Sequence, residues 1–225
     1  CILSDTNVAS NVPFDCTLVL VGRSSMRLLL LLLGAVLMGG FPTGTFLSRY
    51  FLKSDIRRLG SGNPGAMNVW RVFGYKYGLI VIFVDVLKAW LAVRVLPDVM
   101  EVEIDYSTRA LVGLLVVAGH IWSPWTHFRG GKGVGAAFGA GLALYPIAAL
   151  ICGAVWGATL AITRYSSVAG MTAAVCYPAV VYWRCQPDLK ETWICLSLPL
   201  LMLYTHRANL KRLRLGREFK MWGSS

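Results

Sequence analysis

Between Leu28 and Leu47 the chain reads LLLLLLGAVLMGGFPTGTFL, twenty residues without a charge. At 1.5 Å per residue a helix of that length covers the roughly 30 Å hydrocarbon core of a bilayer, and little else can bury such a run. Six further apolar stretches follow: Tyr77 to Leu96, Arg109 to Thr126, Val134 to Leu144, Pro146 to Thr163, Ser166 to Trp183 and Thr192 to Tyr204. The fourth, eleven residues before Pro146, would reach only about 16 Å, so it is a short span, a half-helix, or a piece fused with the fifth. The expected architecture is therefore an all-α integral membrane protein of about seven transmembrane helices. Composition agrees, with 56% hydrophobic residues, 15% charged residues and a mean hydropathy of +0.59. A soluble domain carries about a quarter charged residues, and a disordered chain is less apolar still. Six cysteines form no CxxC pair and three lie in apolar runs, which supports neither a disulfide framework nor a metal centre.

Residues 1–25 begin without a methionine, are mostly polar and end at Met26, where the first apolar run starts. They read as an N-terminal extension ahead of a single transmembrane domain, 26–225. Arg27 followed by six leucines also matches the front of a signal peptide, but the run is long enough to be a retained span.

The net charge of +11 sits in the connections. Segment 98 to 108 holds Asp98, Glu101, Glu103 and Asp105 and no lysine, whereas 48 to 76 holds Arg49, Lys53, Arg57, Arg58, Arg71 and Lys76 against one acid. The tail after Tyr204 adds six more bases. By the positive-inside rule the second segment and the tail face the cytoplasm, with the N-terminus outside, which requires an odd number of spans. Basic loops on a membrane protein call for lipid headgroups rather than nucleic acid, and any chemistry belongs at the cytoplasmic face.

Three polar stretches exceed what a membrane protein needs. GSGNPGAMNVWR, Gly60 to Arg71, combines turn residues with backbone that an anion can approach and an arginine able to grip phosphate. GHIWSPWTHFRGGKGV, Gly119 to Val134, is no Walker motif, because Thr126 stands where the first glycine belongs and Gly133 follows Lys132. It still sets Arg129 and Lys132 around Gly130 and Gly131, just before a helix whose N-terminus favours anions. The tail, Thr205 to Lys220, reads as a basic surface helix with His206 and Asn209 on one face and Glu218 among its bases. His120 lies near the cytoplasmic end of an apolar run. Asp85 and Lys88, three apart in the second run, each cost roughly 2.5 to 3.5 kcal/mol near a helix centre, so they pair or line an ion path.

In this order the segments resemble the bacterial acyl-phosphate:glycerol-3-phosphate acyltransferase family over nearly everything after Met26. The matching motifs are FPTG (41–44), DIRRLGSGNPGAMN (55–68) with Arg71, DxxK at Asp85 and Lys88, GH at 119–120, FRGGKGV (128–134), TRYSS (163–167), and His206, Asn209, Arg212, Gly216 and Glu218. Met67 replaces a usual threonine, Thr205 a frequent arginine, and DVLKA the usual DxxKG. The resemblance implies transfer of a fatty acyl group from acyl phosphate to the sn-1 hydroxyl of glycerol 3-phosphate, at the bacterial inner membrane, giving lysophosphatidic acid and phosphate. A mixed anhydride is already activated, so no cofactor, metal or coenzyme A is expected. The implied site has Ser61, Arg71, His120 and Lys132 as catalytic residues, and Gly62, Asn63, Asn68, Arg129, Gly130, Gly131, His206, Asn209 and Glu218 as substrate-binding ones. His120 is the candidate general base, with the substrate's phosphate as the alternative; an acyl-Ser61 intermediate is disfavoured without a GxSxG elbow. Thioester-dependent acyltransferases often carry HxxxxD, but Trp125, Lys132 and Lys211 stand five residues after the three histidines. A transporter for an organic phosphate is the rival reading, resting on Asp85 and Lys88.

Overall fold

The computed structural model describes the backbone of residues 14–222 and the side chains of residues 24–222. Most of the proposed extension lies outside the described residues. Its last part belongs to helix α1 (Phe14–Gly40), which passes through Met26 without a break. Pro42 has no N–H to donate and interrupts the ladder, so the expected single span 28–47 is two pieces. The chain restarts as α2 (Thr43–Phe46) and a wider turn Leu47–Phe51, bent 44° from α1.

The other helices follow the apolar runs. They are α3 (Ala66–Phe73), α4 (Tyr75–Arg94), α5 (Leu96–Val99), α6 (Tyr106–Ile121), α7 (Val134–Leu144), α8 (Pro146–Thr163), α9 (Ser166–Cys185), α10 (Leu189–Thr205) and α11 (Arg207–Arg214). Tyr145 leaves helical geometry and Pro146 opens α8, so α7 is a separate short helix and is not fused with its successor. The third run stops five residues early, because Trp122 turns out of the helix ahead of Pro124. By length and apolarity together, α8 alone among the described helices qualifies to cross a membrane, and α1 with its bent continuation would be a second. The remaining candidates are shorter than eighteen residues (α6, α7, α10) or more polar (α4, α9).

Small residues let the helices meet backbone to backbone, as expected where lipid leaves packing as the main attraction. A Cβ on Gly39 would stand 2.1 Å from the Val116 carbonyl oxygen, and one on Gly119 2.2 Å from that of Val36, which locks α1 to α6. Gly139 does the same for α7 against Val86 of α4. Leu31, Ala35, Ala89, Val93, Val116, Ala136 and Met202 join α1, α4, α6, α7 and α10 in one core. The exterior is apolar and charge is taken inside: Phe83, Leu150, Ile162 and Leu200 are exposed while Asp85 and Lys88 are buried. A water-soluble protein has the reverse.

The connections gather at two ends. Helix α3 behind loop 52–65, loop 122–133, the α8–α9 joint and the tail meet through Arg71 to Ser166, Lys132 to Asn209, and the Met221 N–H to the Arg164 carbonyl. The opposite end joins Ser107 to Asp188, Tyr145 to Glu191 and Arg27 to Glu101. Basic and acidic loops are thereby segregated.

Candidate active site

Loop 52–65 is shaped by its own side chains. Asp55 caps a single turn, Ile56–Arg58, by accepting from the Arg57 N–H at 3.1 Å. Its carboxylate is gripped by Arg57 at 3.0 Å and Arg49 at 2.7 Å, which holds it well below the usual carboxylate range. Asn68, on α3 and fully buried, accepts from the Ser61 N–H at 2.9 Å and donates to the Leu59 carbonyl at 2.9 Å. Its amide is thus occupied by the loop, so Asn68 sets the position of Ser61 and leaves phosphate contact to others. Asn63 closes a turn onto the Gly65 N–H. Gly44 brings α2 against the loop, since any Cβ there would stand 1.9 Å from the Pro64 oxygen.

The second stretch folds back on the end of α6. The Gly130 N–H donates to the Ile121 carbonyl at 3.0 Å and the Gly131 N–H to that of His120 at 3.1 Å. A Cβ on Gly130 would fall 2.0 Å from the His120 oxygen, and one on Gly131 2.2 Å from His120 Nε2. These glycines are demanded by close packing, and their N–H groups already have acceptors, so the expected anion contact does not form through them. Arg129 is exposed.

The expected long tail helix ends at Arg214, where Leu215 and Gly216, the latter at φ +66, reverse the chain. The reversal carries Glu218 inward, where its carboxylate accepts from Ser167 at 2.9 Å, Asn209 at 2.5 Å and Arg212 at 2.8 Å. Asn209 also accepts from the Lys132 ammonium at 2.5 Å. A chain Lys132, Asn209, Glu218, Arg212 therefore ties the second stretch to the third. Arg71 ties in the first, donating to Ser166 Oγ at 3.0 Å and toward the Phe219 and Lys220 carbonyls. Thr205, at the departure from the family pattern, reaches the Lys132 carbonyl at 3.2 Å.

All three stretches line one cavity of about 530 Å³. Ser61, Asn63, Asn68, Arg71, His120, Lys132, His206, Asn209 and Glu218 reach it; Gly62, Arg129, Gly130 and Gly131 do not. Ser166, Ser167 and Arg212 line it as well and were not among the expected site residues. The first two stand in TRYSS, whose pair of serines opening an apolar helix beside a basic residue was the available signal. Met67 also faces the cavity. Behind this polar mouth the wall turns apolar, with Ile82, Val86, Phe138, Leu150, Trp156 and Leu198.

Burial governs the electrostatics of the mouth. It pushes the Lys132 ammonium down to about 8, opposed by Glu218 and reinforced by Arg212 and Arg71. Arg71 is lowered from its ordinary value by the same desolvation. Burial, with Lys132 close by, brings His206 down to about 4, so its ring is neutral at pH 7. His206 Nδ1 lies 2.8 Å from the Met202 carbonyl. A carbonyl only accepts, so the proton sits on Nδ1 and Nε2 is a bare acceptor. The arrangement offers clustered cations for phosphate, an acceptor for a hydroxyl, and an apolar recess.

A family profile described as glycerol-3-phosphate acyltransferase matches residues 29–216. The glycerol-3-phosphate acyltransferase of Staphylococcus carnosus is 34% identical over 202 residues, 87% of this chain and 98% of its own. That of Desulforamulus reducens is 36% identical over 195 residues, 85% and 94% respectively. Among solved structures, PlsY (YgiH), an integral membrane glycerol 3-phosphate acyltransferase, superposes in its glycerol 3-phosphate form with a TM-score of 0.79 at 35% identity, covering 87% of this chain and 96% of that one. Its lysophosphatidic acid form gives 0.76 at 34% identity, covering 86% and 94%.

Proposed function

The chain belongs to the glycerol-3-phosphate acyltransferase family, and from that premise we propose a full reaction and a place for it. The protein is a membrane acyltransferase that converts glycerol 3-phosphate to lysophosphatidic acid in phospholipid synthesis. The acyl donor is an acyl phosphate, the acceptor is the sn-1 hydroxyl, and inorganic phosphate leaves. The observation that carries this reading is a single cavity joining a cationic mouth to an apolar recess, suited to two phosphates and one acyl chain.

The hydroxyl oxygen attacks the acyl carbon, the bond from that carbon to the phosphate oxygen breaks, and the hydroxyl proton leaves with the phosphate. Arg71 with Ser166, and Lys132 with Arg212, supply two cationic poles for the two phosphates. Ser61 faces the cavity on a loop that Asn68 holds. His206 Nε2 accepts from a glycerol hydroxyl, and Asn209 and Glu218 hold Lys132 and Arg212 in place. Positioning and charge stabilisation are enough for an activated anhydride. The segregated charge supports an odd number of spans, which we take as seven, with the basic end and the cavity mouth at the cytoplasmic side of a bacterial inner membrane and the N-terminus outside. The transporter reading finds no support in Asp85 and Lys88, because each is partnered within the protein.

The test is purified protein in detergent with radiolabelled glycerol 3-phosphate and either palmitoyl phosphate or palmitoyl-CoA. Labelled lysophosphatidic acid is expected from the first donor only. Product from the thioester alone would overturn the donor assignment, and product from neither would overturn the enzyme.

A further inference from the structure

At the wall of the cavity, α2, α4 and α6 bring together four buried polar side chains that the reaction above leaves without a task. The helix breaks at Pro42, and the Phe41 carbonyl there accepts from the Thr43 N–H at 3.0 Å and from the Lys88 ammonium at 2.7 Å. Lys88 also donates to Asp85 Oδ1 at 2.8 Å, and Thr43 donates to that same oxygen at 2.8 Å. The third Lys88 partner is His120 Nδ1, at 3.2 Å.

An ammonium has three donors and no acceptor, so His120 Nδ1 must present its lone pair and the ring proton must sit on Nε2. Asp85 Oδ1 stands 3.7 Å from Nδ1, beyond hydrogen-bond reach, and does not compete for it. The His120 side chain is nine-tenths buried, lines the cavity, and has no partner at Nε2 among the described residues. Nε2 lies against Gly131, where a Cβ would come within 2.2 Å of it, one residue before Lys132.

We propose that the Thr43–Asp85–Lys88 cluster is a positioning device that fixes His120 as the Nε2–H tautomer, making His120 a hydrogen-bond donor to the acyl carbonyl oxygen and not the general base. This rests on the acyl-transfer reading. As the hydroxyl oxygen bonds to the acyl carbon, the carbonyl oxygen gains negative charge, and the Nε2–H donates to it. When the tetrahedral species collapses, the carbon–oxygen bond to phosphate breaks and the hydroxyl proton departs as hydrogen phosphate. His120 gains and loses no proton. The two buried histidines then have opposite tasks, set by what each Nδ1 meets: a donor at His120 and a carbonyl at His206.

The protein has three histidines, so 15N NMR of imidazole-labelled enzyme in detergent resolves them, with His120→Gln identifying the signal. The expected spectrum shows His120 with protonated Nε2 and bare Nδ1 from pH 6 to 8. An Nδ1–H tautomer or an imidazolium there overturns the proposal. Kinetics give a second reading, because Gln keeps an N–H near the Nε2 position. H120Q should retain about a tenth or more of kcat, while H120A should lose about a hundredfold, the scale of one lost oxyanion donor. Equal loss in both variants overturns the donor role. Lys88→Met removes the partner of Nδ1 and should convert the His120 signal to a tautomer mixture and lower kcat, with KM for glycerol 3-phosphate within about twofold. An unchanged signal removes Lys88 from the device. A wild-type enzyme inactive with palmitoyl phosphate would sink the reaction, while the spectrum would still judge the tautomer.

Discussion

Lys132 is the residue on which the mouth of the cavity turns, because it is the cation shared by the second and third stretches through Asn209. Lys132→Ala should lower kcat/KM by about two orders of magnitude, the scale of a lost transition-state donor. Near-normal turnover of the purified variant would remove it from the site. Burial that holds the ammonium down to about 8 also gives it a pH signature. Below that value the free enzyme carries a charged Lys132; above it the group becomes neutral and loses its attraction for phosphate. Kcat/KM for glycerol 3-phosphate should therefore fall on the alkaline side of about pH 8, since this parameter reports the free enzyme. In Lys132→Arg the limb should move above pH 10, beyond the assay range, because guanidinium keeps its proton. A limb at the same pH in both proteins would assign it to another group.

Elements meet here through glycines, and each contact is a place where one methyl group is too many. A side chain at Gly139 must push α7 off the Val86 carbonyl, and overpacking of this kind costs about 1–3 kcal/mol. Gly139→Val should lower the detergent melting temperature by several degrees and reduce activity in proportion to folded protein. At Gly130 the neighbour is the His120 carbonyl, so Gly130→Ala should displace the loop that carries Lys132. A KM for glycerol 3-phosphate raised about tenfold with little change in melting temperature is the expected outcome, read by initial rates and thermal unfolding. The two predictions differ because Gly139 joins two helices and Gly130 joins a loop to the site. Sequence reading assigned the paired glycines 130 and 131 to anion binding, since their packing partner lies on α6, ten residues earlier. Composition cannot reveal which N–H groups already have acceptors.

For the whole molecule, the decisive property is which end faces which compartment. In a cysteine-free background, single cysteines at Arg217 and Glu103 should label oppositely in intact cells. A membrane-impermeant maleimide should reach position 103 from outside and position 217 only after permeabilisation. Labelling of both from outside would break the odd span count. The apolar exterior with buried Asp85 and Lys88 already fits a lipid environment.

The sequence by itself determined the helical class, the positions of most of the long helices and the three polar stretches that line the cavity. Length and apolarity in a bilayer are local properties, and Val134–Leu144 and Pro146–Thr163 kept their bounds to the residue. Only the tertiary structure decided which polar atoms remain available. Asn68 turned inward to its own loop, Arg129 stayed outside, and the tail reversed at Gly216 to bring Glu218 to Asn209. Hydrogen-bond capacity is finite, and its allocation depends on neighbours that are distant in the chain. The break at Pro42, inside the run expected as one span, leaves the Phe41 carbonyl where Lys88, 47 residues later, donates to it.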